Sequence, residues 1–228
     1  MKASNKIVDA QQIWPIVAPG IWLEARTRPA TVPRRGLFLD RDGVIVNDKG
    51  FVAAPGEVEL VPGAAEMIAE ANRCAIPVAV VTNQSGIARQ RFGWAEFADV
   101  EREITRRLAT AGAHLDAVLA CPFHPEFSPD YGEIESHWRK PGPGLIIAAA
   151  RLLNIDIGTS WLVGDQTRDI DAARNAGLAG AILLSGEVAR RPREPMRSDQ
   201  DTGFRVPVAA TASESLAILK DVGLLGGR

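Results

Sequence analysis

The chain has 228 residues, 46% of them hydrophobic, with a formal net charge of −2. That length and apolar content suit a globular chain with a full core, and the near-neutral balance gives no electrostatic reason to expect nucleic acid or an anionic membrane as partner. Two cysteines, Cys74 and Cys121, form no disulfide framework, which suits a reducing, cytoplasmic setting. The apolar patch at residues 13–23 is broken by Pro15, Pro19 and Gly20 and is too short to span a bilayer; no signal peptide is expected.

Residues 1–35 carry Trp14, Trp22 and four prolines without periodicity, so they read as an irregular N-terminal arm with at most one short helix, packed onto the body by its tryptophans. Residues 36–228 read as one domain. Gly36-Leu37-Phe38-Leu39-Asp40-Arg41-Asp42-Gly43 is an apolar run ending in two acids and a glycine, the pattern of a buried strand with a polar tip. If extended geometry persists to Asp42, alternation puts both carboxylates on one side. Such a pair repels unless a cation or a shared proton intervenes.

Turn clusters at Asn47-Asp48-Lys49-Gly50-Phe51 and Pro55-Gly56 predict a hairpin flap over residues 44–59. Pro62-Gly63 opens a helix with Ala64, Met67, Ile68 and Ala71 on one face, and residues 76–81 form a second apolar strand closing on Thr82-Asn83-Gln84-Ser85-Gly86. Phe97, Val100, Ile104 and Leu108 set against Glu101, Arg102, Arg106 and Arg107 predict an amphipathic helix over 94–111, with Glu101 on its polar face. A third strand is expected at 115–120, and a long polar, aromatic-bearing insertion follows at 121–140. Pro141-Gly142-Pro143-Gly144 leads into a helix, and Trp161-Leu162-Val163 forms a strand that stops at Gly164-Asp165. A helix at 167–176, strands at 181–184 and 206–209, a mobile loop at 186–204 and a closing helix complete the chain.

Strands alternating with helices predict an α/β fold, a Rossmann-like parallel sheet flanked by helices on both faces, with no large cap domain. Asp40 and Asp42, Thr82 and Asn83, and Asp165 all stand just past strand ends, which share one edge in a parallel sheet. One crevice should collect them.

Asp40-Arg41-Asp42-Gly43, Thr82, Lys140 and Gly164-Asp165 with Asp169 occur in that order, and with them the chain resembles the haloacid-dehalogenase-like (HAD-like) phosphatases. Arg139-Lys140-Pro141 and the flap piece Asp48-Lys49-Gly50-Phe51 look like the branch holding heptose 1,7-bisphosphate and histidinol-phosphate phosphatases. The resemblance implies Asp40 as nucleophile through an aspartyl-phosphate and Asp42 as the acid and base. It implies Mg²⁺ at the Asp40 carboxylate, the Asp42 main-chain carbonyl and Asp165. Phosphate contacts would come from Thr82, the amides of Asn83, Gln84 and Ser85, and Lys140. Arg139, Asp48, Lys49, Gly50 and Phe51 would meet the sugar or a second phosphate. Asp169 is open between direct ligation and an orienting role.

Members of that branch hold a structural zinc in the insertion with Cys-x-His and Cys-x-Cys. Here those positions are Cys121, Phe123, Ser136 and Trp138, so one of four donors remains and structural Zn²⁺ is expected to be absent. Phe123, Phe127, Tyr131 and Trp138 would pack the loop instead, with His124 and His137 as surface or loop-packing residues. A rearranged Cys121, His124 and His137 site is the minor alternative.

The implied substrate is a small phosphorylated sugar, first D-glycero-D-manno-heptose 1,7-bisphosphate losing its 7-phosphate, acted on by a monomer or weak homodimer. Histidinol phosphate is the close alternative, and a receiver-type signalling domain the remote one.

Overall fold

The computed structural model describes residues 15–186 and 203–226. Its core is one eight-stranded sheet in the order β1-β2-β5-β4-β3-β6-β7-β8. The strands are β1 (Ile16–Val17), β2 (Ile21–Ala25), β3 (Leu37–Leu39), β4 (Val78–Asn83), β5 (Ala117–Cys121), β6 (Trp161–Gly164), β7 (Gly180–Leu184) and β8 (Val208–Ala209). From β5 to β8 every neighbouring pair is parallel, whereas β2 joins β5 and β1 joins β2 antiparallel.

The helices are α1 (Ala64–Arg73), α2 (Ser85–Ala88), α3 (Trp94–Thr110), α4 (Glu133–Trp138), α5 (Gly144–Leu153), α6 (Thr167–Ala176) and α7 (Ala212–Asp221). None is long and apolar enough to cross a membrane.

Strand alternation divides the core in two. Leu37 and Leu39 of β3 and Val78 and Val80 of β4 pack with α1, α3 and α7, while Phe38, Ala79 and Val81 pack with α5 and α6. Both faces of the central strands are therefore buried, which is why they read as unbroken apolar runs. The α/β architecture matches the expectation.

Three local expectations are corrected. The described part of the arm is not irregular: Ile21–Ala25 extends the sheet, while Trp22 packs it onto the body as expected, meeting Trp94 and Phe97 with ring centroids 5.6 and 5.1 Å apart. Trp14 lies outside the described residues, as does most of the loop expected at 186–204. The flap is not a two-stranded hairpin; it is held by isolated bridges, Asp42 to Val46 and Val46 to Leu60, and a 3-10 turn at Pro55–Glu57. The third is Glu101, which is 2% exposed rather than solvent-facing.

Candidate active site

Strand β3 runs between β4 and β6, and the chain order reverses across it, the place where open α/β sheets form a crevice at the carboxyl ends. Regular pairing stops at Leu39. Asp40 N donates to Val163 O at 3.0 Å, and the chain then turns, with Ile45 N and Val46 N both donating to Arg41 O. The two acids are thus placed by a turn and not by the pleat of a strand. Gly43 makes that turn possible: its φ is +85°, and a Cβ there would fall 2.5 Å from Asp165 Oδ2.

Asp40 is 4% exposed. Lys140 Nζ lies 2.9 Å from Asp40 Oδ1 and 2.7 Å from Asp169 Oδ1, and donates to Val81 O at 2.8 Å. The lysine, itself 1% exposed, thus bridges two buried carboxylates at the tip of β4. Burial pushes the Asp40 carboxyl up to about 7; the Lys140 charge opposes this, and the Asp169 and Asp42 charges add to it. Burial alone would lower Lys140, but Asp169 and Asp40 outweigh it and hold the ammonium above its ordinary value. The amine is a fixed positive charge.

Asp165 follows β6. Its Oδ2 accepts from Gln166 Nε2 at 3.0 Å, while its Oδ1 is buried with no hydrogen-bond partner. Burial raises its carboxyl too. Asp169 is fully buried on the first turn of α6, where its Oδ2 accepts from Gln166 N at 3.0 Å, capping the helix. Oxygens of Asp40, Asp165 and Asp169 lie within 4.8 Å of one another, and among the described residues this is the one cluster of three metal-capable side chains. Cys121, His124 and His137 do not gather into another.

Asp42 has a different shell. Arg41 grips both its oxygens, Nε to Oδ1 at 3.0 Å and Nη2 to Oδ2 at 3.1 Å, and Gln84 Nε2 donates to Oδ2 at 2.8 Å. Gln84 Nε2 also reaches Thr82 Oγ1 at 2.9 Å, which leaves the threonine hydroxyl proton to donate into the crevice.

Of the main-chain amides expected to meet phosphate, that of Gln84 is committed elsewhere, and the Asn83 side chain has a task of its own. Gln84 N donates to Cys121 O at 2.7 Å, so neither its main chain nor its side chain is available. The Asn83 side chain bonds the Lys140 main chain twice, Nδ2 to O and Oδ1 from N, both at 3.0 Å. Both residues set the positions of others. Ser85 opens the short α2 at the crevice end of β4.

In the insertion, Arg139 Nη1 donates to Phe123 O at 2.7 Å, and Arg89 Nη2 meets His124 Nε2 at 2.9 Å while lying over the Phe127 ring at 4.1 Å. Burial lowers His124, and the Arg139 and Arg89 charges add to the effect. This is a positive patch that the reading of individual motifs assigned only to Arg139. Burial pushes the Cys121 thiol up to about 12, so it stays protonated. The flap's polar contacts are internal: Asp48 Oδ1 accepts from Gly50 N at 2.8 Å, and Lys49 Nζ pairs with Glu59 at 2.8 Å. Phe51 is 43% exposed and meets the Phe92 ring edge-on.

Comparison with known proteins fits this geometry. The HAD-hydrolase-like family model matches residues 137–202. A D-glycero-beta-D-manno-heptose-1,7-bisphosphate 7-phosphatase of Mesorhizobium japonicum is 40% identical over 195 residues, 83% of this chain and 89% of that one. This chain belongs to the HAD-like phosphatases. A second relative of this HAD-like phosphatase, from Burkholderia mallei, is 39% identical over 69% of this chain and 83% of its own, and is named for the alpha anomer. Among solved structures, a HAD-like phosphatase from Mesorhizobium loti superposes with a TM-score of 0.80 at 37% identity, covering 95% of this chain and 99% of its own. The heptose bisphosphate phosphatase of B. bronchiseptica, solved with magnesium and phosphate, gives a TM-score of 0.68 at 30% identity, covering 82% and 98%.

Proposed function

We propose that this enzyme is a Mg²⁺-dependent phosphatase that removes the 7-phosphate of D-glycero-D-manno-heptose 1,7-bisphosphate through an aspartyl-phosphate on Asp40. The observation that carries the mechanism is Asp40, buried at a strand tip with Lys140 Nζ 2.9 Å away and the unpartnered Asp165 Oδ1 in the same cluster. The substrate reading leans on the two relatives named above.

The residues present fit a hard cation. Asp165 Oδ1 is a buried oxygen without a donor, and Lys140 sets one positive charge against three clustered carboxylates, which leaves negative charge for a cation to neutralise. Asp40, the Asp42 main-chain carbonyl and Asp165 would hold Mg²⁺. Asp169, engaged with Lys140 and Gln166 N, orients the lysine. When bound, the ion supplies charge neutralisation for nucleophile and phosphate oxygens.

Unaided phosphomonoester hydrolysis is extremely slow, so the chain must supply a nucleophile, positive charge and a proton. Asp40 attacks phosphorus as the bond to the sugar oxygen breaks. Asp42 gives that oxygen a proton and then takes one from the water that hydrolyses the aspartyl-phosphate. The Thr82 hydroxyl meets the non-bridging oxygens, where charge develops, and the fixed Lys140 charge stabilises them. Arg139 and Arg89 make the insertion the place for the second phosphate, with the flap residues Asp48 to Phe51 against the sugar. Zinc has no part in this reading.

The test is phosphate release from both heptose bisphosphate anomers, histidinol phosphate and a generic aryl ester, with and without Mg²⁺. Mg²⁺-dependent preference for a heptose bisphosphate supports the reading. Faster cleavage of histidinol phosphate overturns the substrate, and release without Mg²⁺ overturns the mechanism.

A further inference from the structure

A buried polar chain ends on Asp42 from the side away from Asp40's lysine. Arg41, 1% exposed, holds Asp42 with Nε and Nη2, takes Gln84 Oε1 on Nη2 at 3.0 Å, and points Nη1 at Glu101 Oε1 at 3.4 Å. Its guanidinium stands over the Phe97 ring, 5.4 Å from the centroid. Glu101 Oε2 faces Arg26 Nη2 at 3.7 Å, just past the end of β2, where the same guanidinium is held by Glu24 at 3.2 Å. Charges therefore alternate along Arg26, Glu101, Arg41 and Asp42.

Glu101 is costly where it stands. Burying a carboxylate is unfavourable, and an apolar residue at such a place is often neutral or stabilising. Helix α3 does not need it for packing, since Phe97, Val100, Ile104 and Leu108 already seat that face. What Glu101 does touch is the far side of the guanidinium that orients Asp42, and a fork held on both sides has one orientation.

We propose that Glu101 is a positioning residue for the reaction. Through Arg41 it fixes the Asp42 carboxyl for proton transfer, and Arg26 extends the chain past the end of β2. This rests on reading Asp42 as the acid. As the Asp40 oxygen–phosphorus bond forms, the phosphorus–oxygen bond to the sugar breaks, and the departing oxygen takes the Asp42 proton. An alkyl oxygen needs that proton badly, whereas an aryl oxide of low pKa leaves with little help. Loss of positioning should therefore depend on the leaving group, and general loss of structure should not.

The experiment compares kcat/KM for a sugar phosphate and for p-nitrophenyl phosphate, with Mg²⁺, in the wild-type protein, Asp42→Asn, Glu101→Gln, Arg41→Lys and Arg26→Gln. The ratio of the two constants does not depend on how much of a preparation is folded. Glu101→Gln and Arg41→Lys should lower the sugar-phosphate constant about tenfold and the aryl constant less than about twofold, with Arg26→Gln shifting the ratio two- to threefold. An unchanged ratio in Glu101→Gln overturns the proposal. If that protein cannot be recovered, an unchanged ratio in both Arg41→Lys and Arg26→Gln overturns it. No activity in the wild type would instead remove the phosphatase reading, and no leaving-group effect in Asp42→Asn would remove the acid assignment.

Discussion

Asp40 and Asp42 are separated by one residue and share almost nothing else. Asp40 is sealed in with a lysine and two further carboxylates, and burial raises it to about 7. Asp42, its side chain 26% exposed, is clasped by an arginine fork and an amide that belong to a different network. The chain thus gives two identical side chains unlike surroundings: one crowded among acids where a cation is wanted, one aimed and open to solvent. Separation of nucleophile from acid comes from neighbours rather than from residue type.

The contrast can be broken at its strongest point first. Asp40→Asn should abolish turnover, by roughly 10⁴-fold or more, with the circular dichroism spectrum and cooperative unfolding retained. Residual activity near wild type would make the buried acid dispensable. Lys140→Met should cost about 10²–10³-fold in kcat/KM and about 3–5 kcal/mol in denaturant unfolding, because it strands Asp40 and Asp169 without their cation. Equal stability to wild type would show that the acids do not depend on it.

A subtler test uses pH. The folded state keeps a proton on Asp40 that the unfolded chain releases near 3.8, so this group stabilises the metal-free protein at low pH and ceases to as pH rises toward about 7. A bound cation takes the proton's place. Mg²⁺ should therefore raise the melting temperature more at pH 8 than at pH 5, measured by calorimetry, and an equal shift at both would detach the ion from Asp40. Least should happen at Cys121→Ala: a protonated, buried thiol outside both networks should leave kcat/KM within about twofold.

The sheet was legible because its central strands are covered on both faces and read as continuous apolar runs; helix α6 falls on residues 167–176 as its turn signals require. The antiparallel strands β1 and β2 were not, since strands of two and five residues with Pro19 and Gly20 between them carry no usable periodicity. Asp40 and Asp165 of the acid cluster were readable as residues at strand tips, and Asp169, on the first turn of α6, only through the family resemblance; the pleat argument for Asp40 and Asp42 was the wrong route to the right neighbourhood. Glu101 shows why charge alone misleads. It lies four residues after Phe97 and three before Ile104, squarely on the apolar stripe, and that spacing was the available signal. Gln84 and Asn83 were placed near phosphate through the resemblance, and only their partners show that their side chains serve Asp42, Thr82 and Lys140.

The Asn83 side chain behaves toward Lys140 as a neighbouring peptide would, offering one donor and one acceptor at the spacing of a main-chain pair. Strand β4 in effect lends its own tip as a docking peg for the returning insertion. The position of the lysine is thereby registered at the peg as well as by the loop that delivers it.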